Sequence, residues 1–255
     1  MSSNLLSCNV GSYGKFRSAA YSHLASIGVR HVEIAVPALA EVDAVKAELA
    51  SHGLSASTVM GKIEIENDEA GTLFIPTLQA AQALGARVVF VSVRAGDMDK
   101  QAVYDRLKRV GDEAARFGIT VGMETHPDLI TNAEIALETM RGVSHPNIRV
   151  NYDTANIHYY NENVDSVDEL KKIIGYVGSM HLKETNGGYK TWFFPAFGKG
   201  IVDFKTVFKL LNDRGFHGPF TMEIEGCEGD NLNEAETCER VAESVAHLRS
   251  IGCDV

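Results

Sequence analysis

Four short runs in the sequence end on a side chain able to hold a metal ion. They are Val121-Gly-Met-Glu124, Arg149-Val-Asn-Tyr-Asp153, Ser179-Met-His181 and Phe220-Thr-Met-Glu223. Each is β-rich, and Asp153 is followed at once by turn-formers, as where a strand delivers one side chain to the rim of a sheet. Three carboxylates and one imidazole suit a divalent cation with oxygen and nitrogen ligands. Manganese is the first choice, with magnesium, cobalt and zinc as alternatives; no thiolate is present to favour a softer metal. Taken singly, each residue has a plain reading as a helix cap, a solvated charge or a hydrogen-bonded core histidine. Together, one per neighbouring strand, they set three buried anions side by side, which repel strongly without a cation. Glu124, Asp153, His181 and Glu223 are therefore the expected metal ligands.

Alternation along a strand sorts the neighbours. His126 follows Glu124 by two and is expected on the same face, as a substrate contact or proton carrier. Lys183 follows His181 by two, placed to hold a substrate oxygen or to pair with a ligand carboxylate. Glu225 stands in the same relation to Glu223, with a weaker case. Asn156, one turn after Asp153, is expected to donate to a substrate hydroxyl. Glu33 and Arg94 are expected to point toward the same mouth, and Arg94 to bind an acidic group or form a rim ion pair.

The elements that must position these residues are announced by repeated glycines. Helical patterns end at Gly28, Gly53, Gly85, Gly118 and Gly215, each followed by a β-rich run. A glycine past a helix end takes the left-handed conformation that closes the last turn. Recurrence of the event means a βα unit used repeatedly. Eight strands are expected near 5–10, 30–36, 56–60, 87–93, 119–124, 148–153, 177–182 and 220–225. Helical periodicity is clearest over Leu39–Ser51, Met98–Phe117, Val202–Leu211 with Asp203 as N-cap, and about Asn233–Ile251. The expected fold is α/β, a (β/α)8 TIM barrel forming a single domain over residues 1–255, with the four ligands on its fifth to eighth strands. An open doubly wound sheet would need a glycine fingerprint after the first strand, and Asn9-Val-Gly-Ser-Tyr13 does not supply it. Two loops exceed what a barrel needs. Lys62–Gly71 carries four acidic residues; Glu184–Gly200 carries Trp192, Phe193, Phe194 and Phe197, with Trp192 read as a substrate contact in a lid.

Bulk composition narrows the classes. The chain has 255 residues, normal for one barrel, and 45% are hydrophobic, enough for a large core. Lys plus Arg number 24 against 34 Asp plus Glu, a net charge of -10, and no basic run stands out, so no nucleic-acid partner is expected. No run approaches the roughly 20 apolar residues of a membrane span, and the N-terminus lacks signal-peptide character. Cys8, Cys227, Cys238 and Cys253 show no metal or disulfide spacing and read as reduced thiols of a cytoplasmic protein.

The sequence resembles the xylose-isomerase-like barrel superfamily of sugar isomerases, sugar epimerases and inosose dehydratases, over nearly its whole length. The resemblance is carried by Val-Gly-Met-Glu124, Asn-Tyr-Asp153-Thr, Met-His181-Leu-Lys-Glu and Thr-Met-Glu223, with Phe-Gly-Lys-Gly-Ile-Val-Asp-Phe204 beside them. It implies that these four positions bind a divalent ion and that Glu124 and Glu223 also move protons. Asn156 stands where many members carry histidine, and the extra histidines of the related apurinic endonucleases are missing. The expected activity is a metal-dependent sugar isomerase or epimerase working on a ketose or keto-sugar through an enediolate, with Glu124 and Glu223 as the acid/base pair. A lyase or dehydratase acting on a 3-oxo sugar derivative, including C-glycoside cleavage, uses the same site with His126 as the extra acid or base. A non-catalytic sugar-binding barrel is the alternative from another class. The expected partner is a small sugar, unphosphorylated because no phosphate-cradling loop is evident, with a homo-oligomer or an accessory subunit compatible with the sequence.

Overall fold

The β-rich runs close on themselves. In the computed structural model, which describes residues 4–253 and 255, eight parallel strands form a closed barrel. They are β1 (Leu6–Asn9), β2 (His31–Ala35), β3 (Ser55–Met60), β4 (Val88–Val91), β5 (Thr120–Glu124), β6 (Ile148–Asp153), β7 (Val177–Leu182) and β9 (Phe220–Met222), and β9 returns to pair with β1. A two-residue strand β8 (Phe193–Phe194) pairs antiparallel with β10 (Gly226–Cys227) outside the barrel. Between the strands run α1 (Ala20–Ser26), α2 (Val42–Ser51), α3 (Ala70–Leu84), α4 (Lys100–Phe117), α5 (Ala133–Val143), the single-turn α6 (Asn156–Tyr159), α7 (Ser166–Ile173), α8 (Phe204–Asn212) and α9 (Glu234–Ser250). The expected α/β barrel is the observed one.

Local chemistry explains the ends. The five punctuating glycines all have positive φ, between 66° and 84°. At Gly118, φ is 66° and the backbone N–H returns to Ala114 and Ala115, closing α4 two residues before β5 begins. Asp99 caps the start of that helix, accepting from the Ala102 N–H. Its buried residues Val103, Tyr104, Leu107, Val110, Gly111 and Ala114 repeat at three- and four-residue steps. Truncating Leu107, fully buried, to alanine would cost about 2–5 kcal/mol. Asp203 caps α8 as expected, and Asn233 opens α9 with a capping box completed by Glu236.

Two expectations change. The eighth strand of the barrel stops at Met222, not 225, because Ile224 N–H turns to the Ser12 hydroxyl and the chain then bends to make β10. The acidic loop before α3 is pinned by ordinary surface pairs, Lys62 with Glu64 and Asp68 with Arg106, and ends in α3. No helix among the described residues is long and apolar enough to cross a membrane. The four cysteines are free, Cys8 and Cys253 buried.

The barrel interior departs from the usual filling of bulky branched side chains. Ser7, Ser57, Asn151, Ser179 and Thr221 are all buried there. Ser57 donates to the Ser7 hydroxyl at 2.8 Å, and Ser179 donates to Asn151 at 2.6 Å. Gly122 makes room for this layer, since a Cβ there would lie 2.6 Å from the Ser179 Oγ. The apolar mass lies instead between barrel and helices, with Phe74, Leu78, Leu107, Phe204 and Phe220 buried. From this polar layer, Asn151 donates upward to Glu124 at 2.7 Å.

Candidate active site

The strands present their last residues in register. Asp153 pairs with His181 across β6 and β7, and Glu124 pairs with Asn151 across β5 and β6. Glu223 immediately follows β9 and its N–H still bonds the Leu182 carbonyl. All four expected ligands therefore reach the C-terminal end of the barrel, where barrel active sites collect.

The chain fixes both oxygens of Glu124 by hydrogen bonds, but only one oxygen of Asp153. Asp153 Oδ1 accepts from the N–H groups of Ala155 and Asn156, both at 2.8 Å, while its Oδ2 is buried with no hydrogen-bond partner. Glu124 Oε2 accepts from Asn151 at 2.7 Å and its Oε1 from Asn156 at 3.2 Å. His181 is fully buried, with Nε2 3.0 Å from Glu33 Oε1. Its Nδ1 lies 3.2 Å from Glu124 and 3.4 Å from Glu223 but has no hydrogen-bond geometry to either. Asn9 completes the floor, donating to Glu33 at 2.9 Å and to Glu223 at 3.4 Å.

Two buried atoms without a hydrogen bond sit beside the Glu124 carboxylate: His181 Nδ1, and Asp153 Oδ2, whose nearest cation is Lys183 Nζ at 3.2 Å. Donor atoms of Glu124, Asp153 and His181 all lie within 4.8 Å of one another, and Glu223 adjoins this set through His181 Nδ1. Buried polar atoms left without partners are costly, and this donor set, oxygen-rich with one imidazole, fits a divalent cation.

One cation is already built in. Lys183 is 2% exposed, and its Nζ lies 2.5 Å from Glu223, 2.8 Å from Glu225 and 3.2 Å from Asp153. This revises the expectation that a metal alone lets the anions crowd together. The ammonium neutralises part of the cluster, yet Glu33, Glu124, Asp153, Glu223 and Glu225 are five carboxylates against Lys183 and His181. Lys183 also approaches Asn156 Oδ1 at 3.3 Å and sits 5.0 Å above the Phe194 ring. Thr154 fixes its backbone, accepting from Lys183 N–H and donating to its carbonyl.

These surroundings push the two catalytic candidates apart. Burial raises the Glu124 carboxyl to about 7, despite the opposing pull of His181. Burial also works against ionisation of Glu223, but Lys183 and His181 outweigh it and hold that carboxyl well below the usual range. His181 is buried too, which disfavours its charge, but Glu124, Glu33 and Glu223 raise it well above the ordinary value. Burial lowers His126 to about 4, so it is neutral near pH 7. Its Nδ1 lies 2.7 Å from the Ser92 hydroxyl, and its Nε2 lies 3.3 Å from the Asn156 amide, which fits a neutral ring accepting at Nε2.

A cavity of about 220 Å³ opens over this cluster, lined among others by Glu124, His126, Asn156, Lys183, Trp192 and Glu223. Its wall is aromatic: Tyr159 meets Tyr160, Trp192 and Phe194 at ring-centroid distances of 5.0, 6.2 and 6.0 Å. Arg94 is the exception among the expected contacts. It is exposed and outside the lining, beyond the end of β4, and reaches the site only through its charge, which lowers His126 and Tyr160. His158 is buried and does not line the cavity.

Sequence reasoning passed over Asn9, Asn151 and Glu184, and only weakly raised Glu33 and Glu225. Asn151 was legible by the same alternation that selects Asp153. Glu184 is buried and organises the long loop, accepting from Thr185, Gly198 and Val202 N–H groups. A Cβ on Gly200 would lie 2.1 Å from the Thr185 carbonyl oxygen. The Gly-Lys-Gly-Ile-Val-Asp segment is thus a loop anchor and helix cap.

A family model described as xylose isomerase-like TIM barrel matches residues 22–251. The chain belongs to the xylose isomerase-like TIM barrel family. Among relatives in this family, an L-ribulose-5-phosphate 3-epimerase of Salmonella typhi is 29% identical over 181 residues, 68% of this chain and 58% of the relative. The match thus spans less than two thirds of that relative's length. Solved structures share the fold: a D-allulose 3-epimerase from Methylomonas sp. superposes at TM-score 0.75 and 17% identity, covering 98% of this chain and 99% of that one. A sugar phosphate isomerase/epimerase from Parabacteroides distasonis superposes at TM-score 0.77 with 15% identity, covering 100% and 96%. The IOLI protein, described with a bound zinc atom, superposes at TM-score 0.75 with 18% identity over 98% and 99%.

Proposed function

We propose that this family member is a divalent-metal-dependent epimerase or isomerase of an unphosphorylated ketose or keto-sugar. The observation that carries the proposal is that the Glu124 and Glu223 carboxylates both lie beside His181 Nδ1, at 3.2 and 3.4 Å, with their proton affinities driven in opposite directions. Glu124, Asp153, His181 and Glu223 would hold the cation, manganese by preference. When bound, the cation supplies Lewis-acid polarisation of a carbonyl and a neighbouring hydroxyl, stabilising enediolate charge. Glu223, ionised, is the group that removes the proton from the carbon beside the carbonyl. Glu124, the other carboxylate of the pair, is the group that returns one from the other side. Return to the same carbon gives the epimer, and return to the neighbouring carbon gives the isomer. Asn156 and Lys183 hold substrate oxygens, and the aromatic wall excludes water. Epimerase activity in the named relatives agrees with this reading.

The unphosphorylated substrate is supported by the lining. It contains no arginine, and its one lysine is already engaged by three carboxylates. A second reading, elimination from a 3-oxo sugar derivative, draws support from the neutral imidazole of His126 on the cavity wall. The test uses manganese-loaded Glu124→Gln and Glu223→Gln proteins with a panel of ketoses and 3-oxo sugars in heavy water. Each variant should lose epimer formation, with solvent deuterium entering the substrate slowly or not at all. Full exchange in both variants would reject the assignment. Loss of water or an aglycone from the substrate would select the elimination reading, and no exchange by the wild-type protein with any sugar would favour a binding protein.

A further inference from the structure

We propose that the opposite, N-terminal end of the barrel carries a second binding site, for a small organic anion. A cavity of about 710 Å³ opens there, lined by strand-opening residues such as His31, Ser55, Val88, Thr120 and Val177. Its volume falls within the range of roughly 300–1,000 Å³ typical of small-molecule sites. Two arginines, Arg87 and Arg149, face it, and no Asp or Glu does, in a chain with 34 acidic residues. Other part-buried arginines are paired, Arg106 with Asp68 and Arg240 with Asp230, whereas Arg17, Arg94, Arg141 and Arg214 are exposed to solvent. Among the described residues, the guanidinium groups of Arg87 and Arg149 have neither a hydrogen bond nor an ion pair.

Arg149 is the centre of the site. It alternates along β6 with Asn151 and Asp153, so it points into the barrel's lower end, and it is half-buried. Gly178 on the next strand leaves space for its stem, since a Cβ there would lie 2.6 Å from Arg149 Cβ. A half-buried, permanently charged guanidinium loses part of its hydration and lacks a counter-charge. Its forked donors match the oxygens of a carboxylate or phosphate. The His31–Ser55 pair, 2.9 Å apart, adds polar groups on one side. Leu84, Phe216 and Pro219 form an apolar wall for a carbon body. The occupant is thus an oxyanion joined to a compact apolar group, and the site lies at the far end of the barrel from Glu124 and Glu223.

The test is titration of the full-length protein with phenyl phosphate, benzoate and inorganic phosphate at fixed ionic strength, followed by backbone amide NMR. Phenyl phosphate or benzoate should give saturable shifts at Thr120 and Gly178 and none at Asn156 or Trp192; whichever binds tighter identifies the oxyanion. Inorganic phosphate should bind more weakly than phenyl phosphate. Arg149→Met should weaken binding at least tenfold, and Arg87→Ala should weaken it by less. If Arg149→Met does not fold, Arg149→Lys, which keeps the charge but not the fork, should still weaken binding. Shifts confined to the active site, no saturation by any of the three probes, or unchanged binding in the Arg149 variant that folds would each overturn the proposal.

Discussion

Asn151 bridges two strands to hold Glu124. Its amide donates to Glu124 Oε2 at 2.7 Å while its own Oδ1 accepts from Ser179 at 2.6 Å. The orientation of a ligand carboxylate therefore depends on a neutral amide one layer below it. Replacing Asn151 with alanine should lower metal affinity or kcat by about 10- to 100-fold, as loss of an outer partner typically does. The KM for sugar should change little, because Asn151 does not line the cavity. Isothermal titration with manganese and steady-state kinetics check this; unchanged kcat and unchanged affinity together would mean that Glu124 is positioned without Asn151.

Lys183 and the proposed metal would neutralise the same carboxylates, so removing one should strengthen the need for the other. Lys183→Met leaves Asp153, Glu223 and Glu225 without their ammonium. In chelator the variant should lose about 3–5 kcal/mol of stability, the usual result of breaking a buried charge pair. Manganese should restore part of that loss, and should bind the variant more tightly than the parent because a competing positive charge has gone. Denaturant unfolding with and without metal tests both signs. Equal stability of the chelated variant and the chelated parent would show that the ammonium contributes nothing.

The barrel was legible because its signals are local. A glycine that must be left-handed, as at Gly118, and a strand that alternates, as in Arg149–Asp153, can be recognised within a few residues of chain. The four strand-end candidates, Glu124, Asp153, His181 and Glu223, followed from the same alternation. What local pattern could not give was the partner of each charge. Lys183 was visible as two residues past His181, but its position among three carboxylates depends on β6, β7 and the segment after β9 meeting in space. Asn9 donates to Glu33 and Glu223, residues 24 and 214 positions away, and only closure of β9 onto β1 brings them together. Arg94 stands outside the cavity lining for the converse reason: it comes three residues after β4 ends, where the chain has left the strand and alternation no longer fixes its direction.

His126 makes stability depend on pH with a definite sign. Burial lowers its folded value to about 4 from the ordinary 6.5. As pH falls through 6.5, the unfolded chain takes up this proton first, so the folded state loses stability until the folded ring also protonates near pH 4. The contribution is complete above about pH 6.5 and is lost progressively below it. The loss by pH 4 should be on the order of 2 kcal/mol after allowance for the ring's partial exposure. Burial also lowers His23, His31 and His158, and these act in the same direction. Denaturant unfolding of wild type and His126→Gln across pH 4–8 isolates the one group. Between pH 6.5 and 4 the wild type should lose that much more stability than His126→Gln, and parallel curves would assign the acid sensitivity to the other histidines.

Trp192 offers the clearest separation of binding from chemistry. It is 44% exposed, stands edge-on to Phe194 at 5.0 Å, and lines the cavity. Its strand neighbours Phe193 and Phe194 are tied to Cys227 and Gly226, so the ring is carried on a short two-stranded frame. Cutting the ring back to alanine removes apolar contact with the sugar but leaves the frame's backbone pairs intact. Losing about 1 kcal/mol of such contact corresponds to roughly a fivefold rise in KM with kcat nearly constant, the signature of a group that binds substrate and transition state equally. If instead kcat falls while KM holds, the indole serves the chemical step, by excluding water when the substrate is bound. Solvent deuterium entry measured alongside turnover distinguishes the two, because only the second effect changes how often the abstracted proton is lost to water.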